Sequence, residues 1–164
     1  MTRVAGYTPL ESATGLFSIN ITMLVSFFLW GYFLPKITDL GFSALKILKI
    51  GLPISFLVML TIIVLGSKAG AFYITLFILS SIFLSVIQPA VGLSFQSHLA
   101  GKALTSFNLL IFLGAFIMQW LIGFIIDLIK SLGYTEITGF QTAFSVFLLL
   151  SLTSYMFFLV INKK

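Results

Sequence analysis

Residues 101 to 130 read GKALTSFNLLIFLGAFIMQWLIGFIIDLIK. A basic loop opens this stretch, and the apolar helix that follows is long enough to cross a bilayer. Asn108 and Gln119 lie on one face of that helix, because positions three or four apart along a helix point the same way. Hydrocarbon cannot satisfy an unpaired carboxamide, so we expect both amides to face protein or a water-filled cavity. Close packing against a partner helix is predicted by the small residues nearby, which are Gly114, Ala115 and Gly123.

The composition of the whole chain predicts an integral membrane protein of the all-α class. Of its 164 residues, 60% are hydrophobic and 8% are charged, and the mean hydropathy is +1.20. A soluble domain carries about a quarter of its residues as charged side chains, because it must wet its surface. The net charge is +5, but the basic residues are scattered between apolar runs. That pattern favours topology signals over a nucleic-acid-binding surface, so we expect no nucleic acid as a partner.

Five apolar runs of about 20 residues or more predict five transmembrane helices in a single membrane domain. The runs cover residues 15–34, 47–66, 70–93, 103–129 and 139–161. Pro35 is expected to end the first helix, because proline cannot donate a backbone hydrogen bond. Asn20 is the one amide in that helix. A stripe of small hydroxyl residues that repeats every four positions predicts close helix packing there, and it consists of Ser18, Thr22 and Ser26.

Two other prolines lie within apolar runs. Pro53 and Lys49 come near the start of the second run, where a proline is tolerated and a lysine can reach the lipid headgroups. Gln88 precedes Pro89 in the third run, and one interpretation is that its side chain bonds the carbonyl that the proline frees. The alternative is that Pro89 breaks the helix where a cavity needs backbone groups.

The distribution of lysine and arginine predicts how the chain lies in the membrane. With five spans, the side that holds the C-terminus carries six basic residues, which are Lys36, Lys46, Lys49, Lys102, Lys163 and Lys164. The other side carries three, which are Arg3, Lys68 and Lys130. Cytoplasmic segments hold the excess of basic residues. We therefore expect a multi-pass protein of the cytoplasmic (inner) membrane, with the C-terminus in the cytoplasm and the N-terminus outside.

Residue types that carry catalysis are sparse in this chain. It has no cysteine, one histidine and four carboxylates, and none of them forms a nucleophile–base pair or a metal-binding cluster at a usable spacing. The glycines lie singly, without the pattern of a phosphate-binding loop. His98 is interpreted as a solvated loop residue. We expect no enzymatic activity, no metal ion and no cofactor.

The segment LAGKALTSFNLLIFLGAFIMQWLIGFIIDL resembles the eleventh helix of a major facilitator superfamily transporter, together with the cytoplasmic loop before that helix. The resemblance rests on an ordered set of residues, which are Gly101-Lys102-Ala103, Asn108, Gly114-Ala115, Gln119, Gly123 and Asp127. It implies that the five spans correspond to helices 8 to 12 of that fold. It also implies that the chain is part of a permease that moves a small solute by alternating access, driven by a gradient. The candidate residues of the substrate pathway are then Asn20, Gln88, Asn108 and Gln119, and the alternative is that these amides only bond across helices.

Two pairs of residues are candidates for gating or for the membrane interface. Gly31 and Lys36 lie where the family often has a glycine, three residues, an acid and an arginine. Pro35 replaces the acid, so the gating salt bridge of that motif is not carried over. Asp127 and Lys130 are expected to form an ion pair at the interface, because they lie three residues apart at the end of a helix.

The chain is shorter than the family's transporters, which have two six-helix halves with the substrate bound between them. It resembles most of one half. We expect it to be a fragment of a longer permease or to be completed by a partner chain, with membrane lipid and a small-molecule solute as its other partners. Two alternatives stay open. One is a non-transporting multi-pass subunit or scaffold whose polar faces a permanent partner covers, and the other is a small oligomeric channel.

Overall fold

The computed structural model of the protein describes residues 6 to 162, and this part of the chain is helical with no strand. The helices are α1 (Pro9–Asp39), α2 (Ala44–Leu65), α3 (Ala71–Ser80), α4 (Ile87–Leu93), α5 (Ser97–Ser131) and α6 (Glu136–Ile161). Short 3₁₀ segments occupy Gly66–Lys68 and Ile82–Val86. Five helical segments are long and apolar enough to cross a membrane, with α3, the second 3₁₀ segment and α4 together forming the third. The predicted class, an all-α multi-pass membrane protein with five spans, is confirmed at this level.

The helix ends follow signals that are local in the sequence. At the start of α1, the Glu11 N–H donates to Thr8 Oγ1 over 3.2 Å and the Thr8 N–H donates to a Glu11 carboxylate oxygen over 2.8 Å. This reciprocal pair satisfies two backbone donors that a helix start leaves open. At the start of α6, the Thr138 N–H donates to Thr135 Oγ1 over 3.2 Å. Gly133, with a φ of 87°, supplies the left-handed residue that the tight turn between α5 and α6 requires.

The prediction that Pro35 ends the first helix is wrong. Helix α1 continues through Pro35 to Asp39, and the Leu40 N–H still donates to the Lys36 carbonyl over 3.2 Å. A proline removes only the bond to the carbonyl four residues earlier, which is that of Gly31. Gly31 is exposed, and a Cβ added there would meet no other part of the chain within 4 Å. The freed carbonyl is therefore open to other donors, so the helix need not stop.

Four of the five spans form a ring. Helix α2 packs against α3 and the second 3₁₀ segment on one side and against α6 on the other, while α5 packs along α6 and α4 and closes the ring. Helix α1 lies outside the ring, against α3. Short connections make consecutive spans antiparallel. The bundle thus has a Thr8 end, with the turns at 66–70 and 132–135, and an Asn162 end, with the turns at 40–43 and 94–96.

Contacts between distant residues support this arrangement of the two ends. At the Thr8 end, the Ala71 N–H donates to Tyr7 Oη over 3.2 Å. At the Asn162 end, Lys49 Nζ donates to the Asn162 carbonyl over 2.9 Å. The described lysines are distributed unequally between the two ends of the bundle. Lys68 and Lys130 lie at the Thr8 end. The lysines at the Asn162 end are Lys36, Lys46, Lys49 and Lys102, while the expected contributions of Arg3, Lys163 and Lys164 fall outside the described residues.

Pro53 lies well inside α2 rather than in its first turn, since the helix already begins at Ala44. Its missing N–H frees the carbonyl of Lys49, four residues earlier. That carbonyl accepts a hydrogen bond from Tyr155 Oη of α6 over 2.8 Å. The neighbouring helix therefore replaces the donor that the proline removes, and α2 and α6 are fastened together at this point.

The third span is broken near its middle, where the sequence predicts a continuous helix over 70–93. Helix α3 ends at Ser80, and regular α-helix resumes only at Ile87. Ser55 Oγ of α2 donates to the Ser80 carbonyl, so a neighbour satisfies the carbonyl at the break. Val86, at the end of the 3₁₀ segment, is only 3% exposed. Irregular backbone at membrane depth is tolerated where protein buries it, and this break meets that condition.

The break is also packed tightly by side chains. Gly51 of α2 is buried against the side chain of Phe83. The indole of Trp30 in α1 contacts the Phe83 ring edge to face, with ring centroids 5.3 Å apart. Phe83 is thus held between α1 and α2, and the irregular segment has neighbours on both sides.

Candidate functional site

Two of the predicted pathway amides meet in the structure. Gln88 Nε2 of α4 donates to Asn108 Oδ1 of α5 over 3.1 Å. The contact lies one turn from the place where Leu104 approaches Gly92, so α4 and α5 keep one antiparallel register there. Each carboxamide offers two N–H donors and an oxygen acceptor. The bond leaves the Gln88 oxygen and the Asn108 amide hydrogens available to a solute or to water.

The sequence did not predict this contact between Gln88 and Asn108. The prediction paired Asn108 with Gln119, which lies 11 positions further along the same helix, about 16 Å at 1.5 Å per residue. The interpretation that Gln88 bonds the carbonyl freed by Pro89 is wrong. A helical proline frees the carbonyl of the residue four positions earlier, here Ser85, whereas the Gln88 amide reaches across to α5.

Gln119 is exposed and makes no hydrogen bond within residues 6 to 162. It borders the face of α5 that packs on α6, where Met118, Ile122 and Ile126 are half-buried. Beside it, Ala115 and Gly123 are exposed too. A Cβ added at Gly114 or at Gly123 would meet no other helix within 4 Å. The predicted packing surface of α5 is therefore uncovered in the described chain.

Asn20 lies apart from the other amides, on α1 outside the ring. Its Nδ2 donates to the Leu16 carbonyl over 2.7 Å within the same helix. The hydroxyl stripe of α1 also bonds to its own helix, as in the donation from Ser26 Oγ to the Thr22 carbonyl over 2.6 Å. Thr22 and Ser26 are half-buried, but Ser18 is exposed. The packed face of α1 centres on Ile19, which is 5% exposed, so only part of the stripe takes part in packing.

The predicted ion pair between Asp127 and Lys130 does not form. Both side chains are exposed, and neither is paired with the other. An exposed pair of this kind contributes about 0 to 1 kcal/mol, too little to hold two long side chains in one geometry. Lys36 makes a different contact from a gating salt bridge. Its ammonium lies 4.1 Å from the ring centroid of Tyr32 and donates to Tyr32 Oη over 3.0 Å.

A cavity of about 470 Å³ lies inside the ring of α2, the third span, α5 and α6. Its walls are mostly apolar, with Leu52 and Met59 from α2, Leu84 and Ile87 from the third span and Phe147 from α6 among them. Helix α5 contributes Met118 alone. None of the four predicted amides lines it.

Sequence reasoning missed the polar residues that α6 contributes to this cavity, which are Ser151, Ser154 and Tyr155; Ser55 and Ser81 line it from α2 and the third span. It also missed Gln141, whose Nε2 donates to the Ile63 carbonyl of α2 over 2.7 Å. Serines are frequent in this chain, and many of them donate to a carbonyl of their own helix, as Ser145 does. The i, i+3 spacing of Ser151 and Ser154 beside a tyrosine was the available signal, because that spacing places both hydroxyls on one face.

Within residues 6 to 162, no three histidine, cysteine, aspartate or glutamate side chains come together in a way that could hold a metal ion. His98 is exposed near the start of α5.

Comparisons with family models, with curated proteins and with solved structures find no match to this chain. What is established is that residues 6 to 162 are helical and contain five candidate membrane spans.

Proposed function

We propose that the chain is one part of a membrane transporter of the major facilitator type, and that a small solute crosses the membrane along the face of α5 that carries Gln119. One observation carries this proposal. The carboxamide of Gln119 lies in the apolar core of a membrane-spanning helix, exposed and without a hydrogen-bond partner in residues 6 to 162.

The core of a bilayer offers no hydrogen-bond partner to an unpaired carboxamide. Each polar group left unsatisfied in hydrocarbon costs several kcal/mol, so a carboxamide near the bilayer middle needs protein or water beside it. Ala115 and Gly123 flank Gln119 with small side chains, which leaves room for another helix or for a solute. A second part of the transporter that stands opposite α5 would enclose a polar path between the two parts.

The chemistry of the path limits what moves along it. Gln88, Asn108 and Gln119 can donate and accept hydrogen bonds, and none carries a charge. They suit a neutral polar solute, while a charged solute would need its counter-charge from the opposite part. In the alternating-access mechanism the two parts rock against each other and expose the path to one side of the membrane at a time. A gradient rather than nucleotide hydrolysis drives the cycle.

The orientation of the chain is part of the same proposal. The Asn162 end holds more of the described lysines than the Thr8 end, and cytoplasmic segments carry such an excess. We place the Asn162 end in the cytoplasm and the Thr8 end outside, in a cytoplasmic membrane. The turns at 40–43 and 94–96 then lie inside the cell.

Single-cysteine labelling tests the proposal, because the natural chain has no cysteine that would interfere. In the native membrane, a Gln119→Cys variant is expected to react with a membrane-impermeant maleimide added on either side, since alternating access opens the path in both directions. Ile117→Cys is the matched control, because Ile117 lies at nearly the same depth and is exposed on another face of α5. We expect Ile117→Cys to react at least about tenfold more slowly.

Two results would contradict the proposal. A Gln119→Cys variant that reacts with neither face of the membrane would indicate permanent cover by a scaffold partner or by lipid. A variant that reacts from one side only, whatever solute gradient is applied, would indicate a static crevice without alternating access.

A further inference from the structure

The cavity inside the four-helix ring has the properties of a ligand site. We infer that it binds a neutral, largely apolar molecule that carries a hydroxyl or carbonyl oxygen, and that this molecule enters from the bilayer between α5 and α6. The inference goes beyond the proposed transport function, because the cavity lies apart from the face of α5 that carries Gln119.

The walls determine the class of ligand. About 470 Å³ falls within the range of small-molecule pockets, roughly 300 to 1,000 Å³. No charged side chain lines the cavity, and leucine, isoleucine, phenylalanine and methionine form most of its surface. An ionic ligand would lose its hydration here without gaining a counter-charge, so the ligand is neutral.

The lining hydroxyls divide into two groups. Three already have partners, since Ser55 donates to the Ser80 carbonyl, Ser81 to the Phe77 carbonyl over 2.8 Å, and Tyr155 to the Lys49 carbonyl over 2.8 Å. Ser151 and Ser154 make no hydrogen bond within the described chain, although both line the cavity. They lie one turn apart on the same face of α6.

The hydroxyls of Ser151 and Ser154 differ from others on α6, which donate to carbonyls of their own helix. Ser145 Oγ donates to the Gln141 carbonyl over 2.7 Å, and Thr153 Oγ1 donates to the Leu149 carbonyl over 2.8 Å. A hydroxyl in apolar surroundings gains free energy when it finds a partner. One ligand oxygen between Ser151 and Ser154 could serve both, which is why we assign a hydroxyl or carbonyl group to the ligand.

The ligand can enter the cavity between α5 and α6, because these two helices diverge. Near the Thr8 end the helices touch, because a Cβ added at Gly139 would lie 3.3 Å from the Ile126 Cα. Further along, α5 leans towards α4, and a Cβ added at Gly114 would meet no other helix within 4 Å. Ser154 lines the cavity and is exposed, which indicates a gap between α5 and α6 at this level. The gap opens sideways, at the level of the acyl chains, so a molecule dissolved in the bilayer has access.

The depth of Ser151 in the bilayer excludes a phospholipid as this ligand. Ser151 lies ten positions before Ile161, the last residue of α6, which is about 15 Å at 1.5 Å per residue and close to the middle of a hydrocarbon core of about 30 Å. The ester carbonyls of a phospholipid stay at the edge of that core. The oxygen that reaches Ser151 therefore belongs to a free molecule.

Photolabelling tests the inference on the purified chain in lipid nanodiscs. The probe is a ten-carbon alcohol with a photoreactive diazirine in its chain, and the matched probe is the corresponding hydrocarbon without the hydroxyl. We expect saturable labelling of the cavity lining at Phe147, Leu148 and Met118, reduced at least about tenfold by excess 1-decanol. A Ser151→Ala, Ser154→Ala double variant is expected to weaken alcohol binding about 3- to 10-fold and to leave hydrocarbon binding unchanged.

A filled cavity provides the control. Ser151→Phe is expected to abolish the saturable labelling, while Thr153→Phe, an exposed residue of α6 that does not line the cavity, is expected to retain it. The inference is overturned if labelling is spread evenly over the lipid-facing sides of the helices. It is also overturned if Ser151→Phe labels like the natural chain, or if the double variant binds the alcohol as tightly as the natural chain does. None of these outcomes depends on whether Gln119 lines a transport path.

Discussion

A Gly51→Leu substitution is expected to destabilise the fold by about 3 kcal/mol, the upper part of the range for overpacking a well-filled core. A Cβ at this position would lie 2.8 Å from the Phe83 Cβ and closer still to the ring. The Phe83 ring cannot move away easily, because Trp30 packs against it with ring centroids 5.3 Å apart. The backbone of the broken third span would have to move instead. The measurement is the free energy of unfolding in detergent micelles.

The control for this substitution is Gly101→Leu, at an exposed glycine of α5 whose Cβ would meet nothing within 4 Å. Leucine is a better helix former than glycine by nearly 1 kcal/mol, so this variant is expected to be neutral or slightly stabilising. A Phe83→Ala substitution removes the ring and should recover part of the loss in the Gly51→Leu background. Equal stabilities of the Gly51→Leu and Gly101→Leu variants would refute the packing described for the break.

A Tyr155→Phe substitution is expected to cost about 1 to 3 kcal/mol, the penalty for leaving a part-buried acceptor unsatisfied. The phenol is the donor that satisfies the Lys49 carbonyl in place of the N–H that Pro53 lacks. In a Pro53→Ala background, residue 53 has its own N–H and can bond the same carbonyl. The cost of Tyr155→Phe should then fall below about half of its value in the natural chain.

The four free energies of unfolding form a double-mutant cycle, with an expected coupling of about 1 kcal/mol or more between positions 53 and 155. Tyr134→Phe is the control, because Tyr134 is 61% exposed and its hydroxyl makes no hydrogen bond in the described chain. A coupling near zero would mean that the tyrosine does not compensate the proline.

The number and the helical type of the spans could be predicted because their causes are local. An apolar run of about 20 residues has one stable solution in a membrane, which is a helix. The start of α1 also has a local cause, because the capping residue Thr8 precedes Pro9. The apolar runs over 47–66 and 70–93 leave only three residues between them, and the structure has a 3₁₀ turn at this connection, Gly66–Lys68.

The misses arise where the outcome depends on a neighbour. Pro35 by itself predicts a helix end, but the carbonyl that it frees belongs to exposed Gly31, and the helix continues. The break after Ser80 depends on the Ser55 hydroxyl of another helix. Sequence spacing could not show that α4 and α5 stand in the register that joins Gln88 to Asn108.

Only part of the candidate site could be predicted, because the rest of it depends on neighbouring helices. A carboxamide in a membrane span is unusual enough to be noticed alone, and Asn108 was found in that way. Serines carry no such signal, because a helix can satisfy a serine hydroxyl with its own carbonyls. The role of Ser151 and Ser154 depends on the walls opposite them, which three other spans supply.

The most direct test of the account is spin labelling along α5, in the native membrane, with one nitroxide at a time on positions 115 to 124. Power saturation compares collisions with oxygen, which dissolves in acyl chains, and with a nickel chelate, which stays in water. We predict that positions 115 and 119 show low oxygen accessibility, from protein or water beside them, while 117, 120 and 124 show the high values of a lipid-facing surface. High oxygen accessibility at position 119, equal to that at 117 and without contact with the nickel chelate, would place Gln119 in lipid and contradict the account.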